Sequence, residues 1–168
     1  ASGRADVRVV HGFLEDAVVE VAEIAPDFIA VSSLLHEVPD ARALLRGIHA
    51  VAHADTVAHF NVPNVRSFHR LLALEMALIE DVFEPSEMEL RFQRQRRFDG
   101  YSLAALVESE GFRVVNSGSY FVKPFTHSQM QAMLDGGIID DRVLRGLEGM
   151  VQHLPGMGCE IFVDAVPR

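Results

Sequence analysis

Residues 31–40, VSSLLHEVPD, run from a β-branched apolar stretch into His36, Glu37 and Pro39. A histidine at the end of such a run can accept a proton near neutral pH, or it can simply fix a loop through hydrogen bonds. Glu37 reads more readily as structural. In VPNVRSFHR (62–70), Asn64, His69 and Arg70 follow another short apolar run. They either line a substrate pocket or flank the apolar face of the next helix and meet solvent. SGSYFVKPF offers the hydroxyl of Tyr120 and the cation of Lys123, and RFQRQRR sets Arg91, Arg94, Arg96 and Arg97 close together. That basic run is either a solvated face or an anion site; taken with Tyr120 and Lys123, Arg96 and Arg97 point to an anionic substrate. His49 and His53 in HAVAH are four apart and share a helix face, a spacing that can bind zinc. No glutamate follows His49 and no third ligand is evident nearby, so ordinary helix histidines are the better reading and no metal is expected.

Composition narrows the classes that this chemistry can serve. The 168 residues carry 24 acidic and 15 basic side chains, for a formal charge of −9. That balance argues against a broad phosphate-tracking surface, so no nucleic-acid partner is expected. No apolar run reaches the roughly 18 residues of a membrane span, and ASGRADVRVV has no signal-peptide pattern. The chain is read as soluble and cytoplasmic, without a membrane partner. Its one cysteine, Cys159, lies in an apolar run and reads as a packed strand residue.

The elements that must position these groups alternate between strand and helix periodicity, the signature of an α/β sheet in a single domain, 1–168. VRVVHG (7–12), DFIAVSS (27–33) and TVAHFNV (56–62) read as buried strands. Ala41, Leu44, Leu45, Ile48 and Val51 fall at helical spacing behind Asp40, a ready N-cap. Residues 67–79 read as a helix too apolar for one buried side, which implies a lid or a subunit partner, and they open a helical excursion at about 65–100. Ser102 is read as the cap of LAALVESE, 112–122 as an irregular strand, THSQ (126–129) as a capping box, and 143–154 as a helix ended by Pro155-Gly156. CEIFVDAV closes the chain as a strand. Ligands of open α/β sheets bind outside the carboxyl ends of strands, so the residues just past each strand are the first candidates.

DFIAVSSLLHEVPDARALLRGI, NVPNVRSFHRLL and GYSLAALVESEGFRVVNSGSYFVKPF, in that order and spacing, resemble the later part of a class I S-adenosylmethionine-dependent methyltransferase of the bacterial small-molecule group. The likeness runs from about Val7 to His127, and the final strand fits as well. It implies a Rossmann-like three-layer α/β sandwich of sheet order 3-2-1-4-5-7-6, entered at the third strand and so incomplete at the N-terminus. About the C-terminal two-thirds of such a domain is covered. The departures are specific. No G-x-G-x-x-G occurs, the acidic residue that would end the second strand is not found, and AHADT replaces the usual glycine-rich turn before the fifth strand. Without strands 1 and 2, VRVVHG lacks a neighbour and DFIAVSS becomes an exposed apolar edge; a fragment, or a sheet completed by another segment or chain, is the expectation.

By the same resemblance S-adenosylmethionine is the cofactor. Phe13, where an Asp is frequent, the Leu14 backbone, and Glu15 or Asp16 would meet the adenine. Ser32, Ser33 and Leu34 would lie beside the methionine part. His36 would face the substrate as a general base, and Glu37, Asn64, His69, Arg70, Arg97, Tyr120 and Lys123 would border it. Gln95 stands where the family often has a histidine, which weakens a catalytic role for that segment. The expected activity is methyl transfer to a small, anionic metabolite, with a homo-oligomer formed through helix 67–79. The alternatives are a non-catalytic subunit that keeps the fold without a working cofactor site, and a metal enzyme using His49 and His53.

Overall fold

The computed structural model describes residues 7–85, 90–91 and 96–168. Arg94 and Gln95 therefore lie outside the described residues. Four strands, β1 (Phe28–Ser32), β2 (Val57–Pro63), β3 (Phe112–Tyr120) and β4 (Glu160–Pro167), form one sheet in the order β1-β2-β4-β3. β1 and β2 are parallel, whereas β4 runs antiparallel to both of its neighbours. The helices are α1 (Val18–Ala22), α2 (Ala41–Val51), α3 (Phe68–Glu75), α4 (Gly100–Ser109), α5 (His127–Asp135) and α6 (Asp141–Gly149).

Strand alternation sorts side chains onto two faces. Val31, Ala58, Phe60, Val62, Ile161, Val163 and Ala165 share the core with Leu44, Leu45 and Ile48 of α2 and Leu103 and Val107 of α4. These are the positions that helical spacing marks on α2. Asp40 caps that helix as the sequence indicates, its carboxylate accepting from the amides of Arg42 (2.9 Å) and Ala43 (3.0 Å). The capping box at Thr126–Gln129 also forms. At α4 the cap is Asp99 rather than Ser102; the serine sits three residues on and completes a reciprocal box with the Asp99 amide.

Three expectations change. VRVVHG is not a strand: residues 7–11 have no regular structure and Val7 and Val9 are 78% and 85% exposed. A β-branched run becomes a strand only beside a partner, and among the described residues β1 pairs only with β2. β1 is accordingly the exposed edge anticipated, with Phe28 59% exposed. The helix expected over 67–79 is shorter, because Ala77 turns into the left-handed region (φ 54°) while Leu78 N–H returns to the Ala73 carbonyl. No residue of α3 is buried. The helix expected over 143–154 runs instead from Asp141 to Gly149 and tightens into a 3-10 turn at 150–152.

Candidate functional site at the carboxyl edge of the sheet

Ser32, Pro63 and Tyr120 end β1, β2 and β3 on one edge, and the segment entering β4 meets them there. Ser33 just past β1 is left-handed (φ 50°) although it carries a side chain, and its amide donates to the Asn61 carbonyl at 2.9 Å. A non-glycine residue held in that region is strained, and such strain concentrates at functional sites. The chain then turns through Leu34–Val38, leaving Leu34 partly exposed and Leu35 fully buried. His36 is buried, with Nε2 3.5 Å from Oε1 of the half-exposed Glu37.

Past β2, two of the residues expected to border the substrate have hydrogen-bond partners within the chain. Asn64 is buried and donates both amide hydrogens, to the carbonyls of Gly156 (2.9 Å) and Gly158 (2.8 Å), while its own oxygen accepts from Arg66 N–H. It is a latch between the β2 loop and the loop entering β4, with no donor left for a ligand. Arg70 donates through Nε and Nη2 to the Val82 carbonyl and through Nη2 to that of Glu84. Its guanidinium clamps the turn at 82–84.

His69, at the start of α3, shares a hydrogen bond of 3.1 Å between Nδ1 and the buried Ser67 hydroxyl. Burial first, and then the charges of Lys123 and Arg70, lower its pKa from the ordinary 6.5 to about 4. His69 is therefore neutral at pH 7. Lys123 also acts on Cys159, whose thiol is nevertheless pushed up by burial and is not a reactive thiolate. Arg97 is half-buried beside Phe98, which bridges Asn64 and accepts from Val65 N–H. Lys123, after β3, and His69, after β2, are thus close enough for the lysine's charge to act on the imidazole.

Tyr120 closes β3. Its ring stacks on Phe162 (4.7 Å between centroids, 16°) and its hydroxyl reaches back over the sheet to His59 Nε2 at 3.2 Å. His59 Nδ1 in turn meets Asp164 Oδ1 at 2.6 Å, and Asn116 donates to the other Asp164 oxygen at 2.9 Å. These contacts fix the tautomer: Nδ1–H donates to the carboxylate and Nε2 accepts from the phenol. Burial and then the charges of Asp164, Glu160 and Glu148 raise the Tyr120 pKa, keeping the phenol protonated. Sequence reasoning missed His59 and Asp164. The only signal was a histidine at an alternating position of TVAHFNV, and nothing local pointed to a partner 105 residues away.

The segment 13–16 rests against α2. A Cβ on Gly47 would meet Glu15 N at 3.4 Å and Leu14 Cγ at 3.5 Å, and Leu14 packs on the core. Phe13 is exposed and, with Val10, His11, Gly12 and Asp16, lines a hollow of about 460 Å³ whose lining includes none of residues 32–37. The expected cofactor residues therefore fall in two groups, one around this hollow and one at the strained Ser33 turn. His49 packs edge-on to Phe112 (5.2 Å), and His53 Nδ1 accepts from Asp55 N–H. Among the described residues no three His, Cys, Asp or Glu side chains converge as metal ligands.

No family model matches the chain, and no curated protein matches it. A solved S-adenosylmethionine-dependent methyltransferase from Thermotoga maritima is similar to it at 12% identity and a TM-score of 0.50, over 84% of this chain and 56% of that one. Enzymes of the same description from Archaeoglobus fulgidus (16%, TM-score 0.46, 89% and 64% covered) and Mesorhizobium loti (13%, 0.47, 83% and 61%) are also similar. The fold is that of the class I methyltransferases. In the class I methyltransferase order 3-2-1-4-5-7-6, β1, β2, β4 and β3 stand as strands 4, 5, 7 and 6. The chain spans a little over half the length of the Thermotoga methyltransferase.

Proposed function

We propose that this polypeptide serves S-adenosylmethionine-dependent methyl transfer to a small, anionic metabolite. The observation that carries the reading is the β1-β2-β4-β3 sheet with its antiparallel β4, combined with a strained, polar turn at the carboxyl end of β1. When bound, S-adenosylmethionine supplies a methyl group on a sulfonium, so the protein's contribution is mainly orientation of the acceptor and management of its proton. In this reading residues 32–34 hold the methionine part, where the Ser33 turn brings backbone and hydroxyl to the strand end. Phe13 offers a ring face for the adenine at the mouth of the hollow, with Glu15 and Asp16 as acceptors for its amino group. His36 takes the acceptor's proton, and Glu37, half-exposed and 3.5 Å from His36 Nε2, steadies the imidazolium and carries the proton toward solvent.

The anionic character of the substrate is supported by the cations Arg97, just before Phe98, and Lys123, just after β3, in a chain whose net charge is −9. Isothermal titration with S-adenosylmethionine and with its demethylated product tests the reading. Binding of both is the expected result. Binding of neither leaves the non-catalytic alternative.

A further inference from the structure

We propose that Tyr120 is a nucleophile, with His59 as its base and Asp164 orienting that base, and that it accepts an acyl group from an uncharged activated ester, an activity separate from methyl transfer. The three groups come from three strands and share the sheet face away from the core. Ala58, Phe60 and Val62 of β2 point into the core, so the alternating His59 points to the other side. Register sets Asp164 of β4 opposite His59, and Asn116 of β3 opposite Asp164. Phe162 stacks on both the Tyr120 ring (4.7 Å) and the His59 ring (5.4 Å), which holds phenol and imidazole in one orientation.

A hydroxyl, a base within hydrogen-bond reach of it and a third group that fixes the base are the parts of nucleophilic catalysis. Here they are Tyr120 Oη to His59 Nε2 at 3.2 Å and His59 Nδ1 to Asp164 Oδ1 at 2.6 Å, with Asn116 holding the second carboxylate oxygen. Exposure is graded along the chain of bonds: Tyr120 is 36% exposed, whereas the His59 and Asp164 side chains are 19% and 21% exposed. The hydroxyl is thus the end that a reagent reaches, backed by a sheltered base. Burial, and then the charges of Asp164, Glu160 and Glu148, hold the phenol protonated, so it attacks only as its proton leaves for Nε2. The same carboxylates repel a donor that carries phosphate or carboxylate, which leaves an uncharged ester as the donor class. In the step, Oη bonds to the carbonyl carbon and the phenol proton passes to His59 Nε2, while Nδ1–H stays on Asp164. The bond to the leaving group breaks, the leaving group departs as its oxyanion, Nε2 returns the proton to solvent, and O-acyl-tyrosine remains.

The chain has two tyrosines, and Tyr101, 88% exposed at the start of α4, is a reference within the same molecule. p-Nitrophenyl acetate is the probe, and peptide mass mapping at short times at pH 7 reads the acetylation of each tyrosine. Tyr120 should be acetylated about tenfold or more faster than Tyr101 despite its lower exposure. H59Q and D164N should each bring Tyr120 down to the Tyr101 rate or below it and leave Tyr101 unchanged. Tyr120 no faster than Tyr101 in the unmodified protein, or a Tyr120 rate retained in either variant, overturns the proposal.

Discussion

At the scale of single residues, the carboxyl edge holds groups that tie loops together and groups that set how stability responds to pH. Asn64 belongs to the first kind. N64A should cost about 2–3 kcal/mol, because two buried carbonyls lose their donors together, and a shift of the urea midpoint at constant slope would register it. His69 belongs to the second, and it makes stability depend on pH with a definite sign. Its folded pKa, about 4, lies below the ordinary 6.5, so between these values the unfolded chain binds the extra proton. Stability is retained above pH 6.5 and falls as pH drops toward 4, by on the order of 2 kcal/mol once its partial exposure is allowed for. Urea titrations at pH 7 and pH 4.5 should show this difference in the unmodified protein and a smaller one in H69Q.

At the scale of elements, what was legible in the sequence was local. The cap at Asp40 and the apolar stripe of α2 are defined within a dozen residues, and both are found as read. The box at Thr126 is equally local. The fate of VRVVHG was not, since its apolar pattern is consistent with a strand but the pairing strand must come from elsewhere. Asn64 and His59 show the same limit within the site. The Asn64 partners lie 92 and 94 residues downstream and the His59 partner 105, distances at which only the register of β2 against β4 brings them together. The Phe162 ring on which Tyr120 leans is likewise invisible from the tyrosine's own strand. That ring also lies over Gly118, where a Cβ would come within 2.7 Å of it.

The edge strand carries a prediction of its own. β1 presents an open edge and an exposed Phe28 to solvent, the geometry that templates pairing with other chains. F28K should reduce concentration-dependent light scattering while changing stability by less than about 0.5 kcal/mol, as is usual for exposed positions. Scattering unchanged by this substitution would place the association surface elsewhere, with the exposed Met76 and Leu78 after α3 as the next candidates.

At the scale of the whole molecule, the sheet order and the antiparallel β4 place the chain in the class I methyltransferase fold, while the two groups of expected cofactor residues sit around a hollow and at a strained turn. No described helix is long and apolar enough to cross a membrane. The proposed function requires that these two groups act on one ligand. Isothermal titration of the protein with S-adenosylmethionine, repeated with S33P and F13A, measures this most directly. Saturable binding, weakened tenfold or more by either substitution, is the result that this account predicts. Absence of binding, or binding indifferent to both substitutions, would contradict it.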